Sequence, residues 1–223
     1  MKKVKFIIGT IAFTAILMTS CGGSSSRKAE SIKEVAIGTQ IWMSENLNVD
    51  KFRNGDPIPE AKTAEEWIKA GENKEPAWSY YRNLPANGER DGKLYNWYAV
   101  NDPRGLAPEG WRIPTDDDWA ALVDFLGGES VAGEKMKYTD FWVPGSGEIG
   151  KGNNESGLSV LPGGTRTTAG LFRNIDYNAY FWSSTEYDEE TAWTYWLRWI
   201  SSPVNRYSAP KANGNSIRCV KDN

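Results

Sequence analysis

The 223-residue chain carries 26 Lys and Arg against 29 Asp and Glu, no His and only two Cys; without imidazole there is no Ser-His-Asp or Cys-His nucleophile system and no His-ligated metal. The slightly acidic balance excludes a nucleic-acid face, which needs clustered Lys and Arg to replace counterions along phosphates. Eleven Trp and ten Tyr call for a core of large rings or an exposed stacking surface, and the core takes most of them.

The chain opens on Lys2, Lys3 and Lys5, then an apolar run from Phe6 to Met18, then Thr19-Ser20-Cys21 and the small residues Gly22 to Ser26. The apolar run is too short to span a bilayer and reads as the core of a cleaved export signal. A small-residue site ending in Cys resembles the lipobox of bacterial lipoproteins, with Met18 where Leu is commonest. That resemblance implies a signal peptide over residues 1–20, a lipid on Cys21 as the membrane anchor, and a tether over 21–33. Removing the signal takes three of the 26 basic residues and none of the 29 acidic ones, which leaves a formal charge of −6. The remaining length suits a single domain, residues 34–223. Gly22 after the anchor, in place of Asp, points to the outer membrane, with periplasmic and surface exposure both open.

Residues Val35 to Met43 predict two short strands about a Gly38-Thr39 turn. Thr63 and Glu66 form a capping box for a short helix with Trp67-Ile68 on its apolar side and Gly71 as its stop. The stretch through Tyr80-Tyr81 and Asn87-Gly88 reads as loop. Leu94 to Val100 reads as buried, its period consistent with helix or strand. Pro114, the N-cap Thr115 and first-turn Asp116-Asp117-Asp118 announce a helix whose stripe is Trp119, Leu122, Val123 and Leu126, ended by Gly127-Gly128. Later segments read as short strands: Leu158–Leu161 before a Pro162-Gly163-Gly164 turn, Tyr180–Thr185, Trp193–Ile200 and Ser216–Val220. In Trp193–Ile200 the odd positions Trp193, Tyr195, Leu197 and Trp199 form the apolar face, and the even side is mixed. Two or three helices early and antiparallel strands late, with strands from both ends of the chain, give an α+β domain.

Five segments occur in a recognisable order: Gly105 to Thr115, with Trp111 and with Trp119 following; Ser156 to Arg166; Phe181-Trp182-Ser183-Ser184-Thr185-Glu186; Trp193; and Ser216-Ile217-Arg218-Cys219-Val220. Together they resemble the Fibrobacter succinogenes major paralogous domain, a family of exported bacterial domains common on lipoproteins, over roughly residues 35–222. The resemblance implies a C-type-lectin-like fold related in shape to formylglycine-generating enzymes, its first and last strands paired and its long loops on one side. It also implies that many relatives carry Cys where Ala107 stands. If that Cys pairs with the one near the C-terminus, this chain has lost the bridge and leaves Cys219 alone. The enzyme branch uses paired cysteines, which one thiol cannot reproduce, so the expectation is a non-enzymatic domain.

The candidate sites divide by chemistry. Trp111, Thr115, Trp119, Trp182 and Trp193, with Arg166, Arg206 and Arg218, are expected in the scaffold, the guanidinium groups bridging carbonyls or carboxylates. Cys219 is expected as a buried structural thiol. Asp188-Glu189-Glu190 is the calcium candidate, because hard cations want several loop oxygens; a solvated loop is the alternative. Tyr80, Tyr81, Arg173, Asn174, Tyr177, Asn178 and Tyr187 are grouped as a binding surface, since Tyr and Asn on turns offer stacking faces and adaptable hydrogen bonds. The functional expectation is an envelope binding module for a glycan or a protein partner. A structural or assembly role is the alternative, and a His-free enzyme stands third.

Overall fold

In the computed structural model the chain enters the domain as a hairpin. Strands β1 (Glu34–Ile37) and β2 (Gln40–Met43) pair antiparallel, with Ile37 opposite Gln40. At the turn Gly38 has φ +61°, and the Phe125 ring lies 3.0 Å from where its Cβ would stand, so both backbone and space require glycine. The structure describes residues 32–143 and 152–222, within the unit Ile32–Asn223. The export signal, Cys21 and most of the tether lie outside the described residues. Among the described residues no helix is long and apolar enough to cross a membrane.

Helix α1 (Ala64–Glu72) starts at the predicted capping box: Thr63 Oγ1 accepts from Glu66 N, and the Glu66 carboxylate accepts from Thr63 N, both at 3.1 Å. It runs through Gly71 and ends at Asn73. Gly71 is therefore a contact residue and not the stop, with Ala212 Cβ 2.8 Å from where its own Cβ would stand. Strand β3 (Trp78–Ser79) follows, then a 3-10 turn at Tyr81–Asn83 and helix α2 (Pro85–Asp91). The sequence reads the last stretch as loop because Asn87-Gly88 has poor helix propensity. Tertiary contacts override that preference: the Tyr80 ring occupies the space a Gly88 side chain would need, and Asn48 Nδ2 donates to Gly88 O at 3.0 Å.

The undecided segment 94–100 contains both structures, strand β4 (Leu94–Tyr95) and helix α3 (Trp97–Val100), separated by the N-cap Asn96. After strand β5 (Trp111–Arg112) comes helix α4 (Asp116–Phe125), whose Thr115 cap accepts from Asp118 N and whose Trp119, Leu122 and Val123 are buried. Helix α5 (Glu129–Met136) was not anticipated; its weak amphipathicity hides the buried Ala132, Gly133 and Met136. Strand β6 is Gly163–Arg166, not Leu158–Leu161, where only Val160 makes a single bridge, to Lys137. Of the two glycines that read as a turn, Gly164 is required in the strand: Arg173 O lies 2.5 Å from where its Cβ would stand. Strands β7 (Phe172–Ile175), β8 (Asn178–Glu186), β9 (Thr191–Arg198), β10 (Val204–Pro210) and β11 (Val220–Lys221) complete the described elements.

The architecture is α+β. One sheet has the order β1-β2-β11-β5, a second β10-β9-β8-β6-β7, and β3 pairs with β4. The last strand pairs with the second and not the first: Val220 opposes Trp42, because β1 is the outer arm of the hairpin. Lys221 still reaches Glu34 on β1 in a 2.8 Å ion pair. Residues 214–216 join the sheets, Ser216 bridging to Phe181 and Asn215 to Tyr95. Among the described residues two large apolar clusters result, with a small third one of Ala61, Trp67 and Ala77. Trp42, Trp119, Phe181, Tyr195, Leu197 and Val220 pack between α4 and the sheets, with Trp119 4.9 Å from Trp42 and 5.0 Å from Tyr195 between ring centroids. Trp78, Tyr95, Trp97, Trp111, Trp182 and Cys219 form the other.

Candidate functional site

Opposed residues of an antiparallel pair project to the same side of a sheet, and neighbours along a strand alternate. The register opposes Tyr180 to Trp196, Asn178 to Arg198, and Thr194 to both Trp182 and Tyr207. Ala179, Phe181, Tyr195, Leu197 and Val204 pack in the cluster beneath α4. Asn178, Tyr180, Trp196, Arg198 and Tyr207 therefore share the opposite side. There the buried Tyr180 ring lies near parallel to that of the half-buried Trp196 (5.8 Å, 7°), and Trp196 meets the half-buried Tyr207 edge-on at 6.1 Å.

Amides and a cation frame these rings. Asn174 and Asn178 each donate through Nδ2 to the Tyr180 hydroxyl at 2.9 Å. At the same end of the sheet Tyr177, 45% exposed, meets Trp199 edge-on at 5.7 Å. The Arg198 guanidinium lies 5.1 Å from the Trp196 centroid, and among the described residues it makes no hydrogen bond or ion pair. Its backbone is held, since Lys137 Nζ donates to Arg198 O at 2.6 Å. Trp196 Nε1 has no hydrogen-bond partner among the described residues. Burial, then the nearby Tyr180, hold the Tyr207 hydroxyl well above its ordinary pKa, so it stays a neutral donor. These groups offer stacking, hydrogen bonding and a cation without a hydrogen-bond or ion-pair partner among the described residues, with no nucleophile and no carboxylate pair among them.

The predicted surface is thus divided. Asn174, Tyr177 and Asn178 belong to this face, although Asn178 is 9% exposed and committed to Tyr180. Arg173 is exposed on β7, and among the described residues it donates only to Phe172 O at 3.2 Å. Tyr187 lies just past the other end of β8, about 30 Å from Asn178 by strand rise, edge-on to Trp193 at 4.6 Å. Tyr80 is half-buried against Gly88 and meets Trp78 edge-on at 5.1 Å. Tyr81 is a core residue, 4% exposed, packed on Phe172 at 5.2 Å. Sequence reasoning missed Tyr180, Trp196, Arg198 and Tyr207; the mixed even side of β9 was the signal for Trp196 and Arg198.

The acidic loop expected as a calcium candidate is held by the fold's own hydrogen bonds and ion pairs. Asp188 Oδ1 accepts from Glu190 N and Thr191 N, closing the β8–β9 turn. Glu189 and Glu190 point outward, 3.8 and 3.3 Å from Lys74 Nζ. Among the described residues no three His, Cys, Asp or Glu side chains converge on a metal-sized space.

The motif residues sit in the scaffold. Trp111, Trp119 and Trp182 are buried, and Trp182 Nε1 donates to Tyr95 O at 2.8 Å. Trp193 is half-buried beneath Arg206, whose guanidinium lies 3.3 Å from its centroid and whose Nε donates to Asp116 at 2.7 Å. Arg166, buried, donates to Ala61 O and Thr63 O, both at 2.7 Å. Arg218, also buried, donates to Met43 O, Leu158 O and Asn46 Oδ1. Burial pulls both guanidinium groups below their ordinary pKa. Ala107 and Cys219 share one apolar cluster, where Cys219 is a free thiol.

No curated protein and no solved structure matches this chain. The Fibrobacter succinogenes major domain matches it over residues 35–221, from β1 to the end of β11. The chain belongs to that family.

Proposed function

We propose that this protein is a non-catalytic binding module, tethered at the bacterial outer membrane through a lipid on Cys21, that takes glycan on the β8–β9–β10 face. The observation that carries the reading is the pair Trp196 and Tyr207, backed by the buried Tyr180 and bordered by Asn174, Asn178 and the Arg198 guanidinium, which has no hydrogen-bond or ion-pair partner among the described residues. Sugar rings pack their C–H faces on aromatic rings, while amides and hydroxyls fix orientation. A C-type-lectin-like arrangement is supported by the joining of the first two strands and the last strand of the described domain in one sheet and by α4 packed behind β8 and β9.

The test is a binding screen of the protein against immobilised envelope and plant polysaccharides. Trp196→Ala is expected to lower binding by roughly tenfold or more, as for a central aromatic anchor, with an unchanged near-ultraviolet spectrum apart from the lost ring. A ligand bound equally well by the variant would move the site elsewhere. Co-purification with an envelope protein, and no glycan bound, would favour the assembly role instead.

A further inference from the structure

Arg198 separates the candidate face from a neutral stacking surface. Most arginines in the described structure are engaged by oxygen. Arg90, Arg104, Arg112 and Arg206 bind carboxylates, while Arg53, Arg166 and Arg218 bind carbonyl or amide oxygens. Arg198 is half-buried beside Trp196, its main chain is pinned by Lys137, and its fork is unused among the described residues. Asn178, directly opposite on β8, brings no negative charge, because its amide is spent on Tyr180.

A planar guanidinium matches a carboxylate with two parallel N–H···O bonds. In a uronic acid the carboxylate stands on the rim of the pyranose ring. A sugar packed against the aromatic row thus carries it toward a guanidinium 5.1 Å from the Trp196 centroid. We infer that the ligand is an acidic glycan with uronic-acid units, their rings on the half-buried Trp196 and Tyr207, backed by the buried Tyr180, and one carboxylate on Arg198. This inference rests on the glycan reading above and specifies its ligand class.

The experiment uses the full chain in detergent micelles and calorimetric titration. The probes are oligomers of galacturonate, glucuronate and mannuronate, and the same oligomers after chemical reduction of their carboxyl groups to alcohols. At least one uronate oligomer is expected to bind about tenfold or more tighter than its reduced form, the range for hydrogen bonds to a charged group. Raising the salt should narrow that gap. Arg198→Gln should bring uronate affinity down to that of the reduced oligomer and leave the reduced oligomer's own affinity unchanged; Arg198→Lys should restore only part of the difference. Since this guanidinium makes no hydrogen bond or ion pair among the described residues, both variants should melt like the parent. Equal affinity for uronate and reduced oligomers, or full binding by Arg198→Gln, overturns the inference and leaves a neutral-glycan site standing. No binding to any acidic or neutral oligomer overturns this inference and the glycan reading together.

Discussion

Cys219 shows how strongly position governs a single group. Its side chain is fully buried, and burial, opposed by Arg218 and Arg53, pushes the thiol up to about 12 from an ordinary 9.0. Only thiolate attacks alkylating reagents, so native protein at pH 8 should leave Cys219 unmodified by iodoacetamide. The same residue should be labelled fully in denaturant, as read by mass spectrometry of its peptide. The folded state retains a proton that the unfolded chain releases above pH 9. The contribution of this thiol is thus fully present below pH 9 and lost as pH rises toward 12. Cys219→Ala should flatten the fall in urea midpoint over that window. Arg218, one residue earlier, is also buried but carries its polarity to Met43 O, Leu158 O and Asn46. The run Ser216–Val220 thus alternates in direction yet is buried on both sides: Ile217 and Cys219 enter the apolar cluster, and Arg218 is held by oxygens of Met43, Leu158 and Asn46 on the other side.

At the scale of elements, two helices contrast in how they are specified. Helix α4 is local: Thr115 caps it, Asp116 to Asp118 occupy its first turn, and its stripe falls at helical spacing. Thr115→Ala should cost about 1 kcal/mol in urea denaturation through the lost cap. Helix α2 is non-local, since it contains Asn87-Gly88 and is held by Tyr80 and Asn48. Gly88→Ala, which raises intrinsic helix propensity, should nonetheless destabilise by about 2 kcal/mol, because a methyl group meets the Tyr80 ring. A stabilising outcome would mean that Tyr80 does not pack there. Strand β6 follows the same logic: Gly163 and Gly164 resemble a turn in sequence, yet at Gly164 only glycine lets β7 approach. The binding face also emerges at this scale, because β9 presents Leu197 to the core and Trp196 and Arg198 to the opposite side.

For the whole molecule, the C-terminal segment does the joining. Gly214 bridges to Arg166, Asn215 to Tyr95 and Ser216 to Phe181, and Val220 lies between Trp42 and Arg112. A chain ending at Asn213 should lose cooperative unfolding and the near-ultraviolet tryptophan signal while keeping some far-ultraviolet ellipticity, because both sheets lose a partner. A sharp two-state melt in that truncation would contradict the joining role. Wherever structure is local, the sequence by itself determined the outcome: the β1–β2 hairpin, the capped starts of α1 and α4, the strands at β8 and β9, the α+β class and the family signature. Caps, turns and periodicities act over a few residues and need no partner. Only the tertiary structure decided that α2 is helical, that β6 begins at a Gly pair, that Tyr81 is core, and that the Asp188 carboxylate closes a turn. It alone placed Tyr180, Trp196, Arg198 and Tyr207 on one face, since strand register, which no short segment encodes, sets which side chains from distant strands stand together.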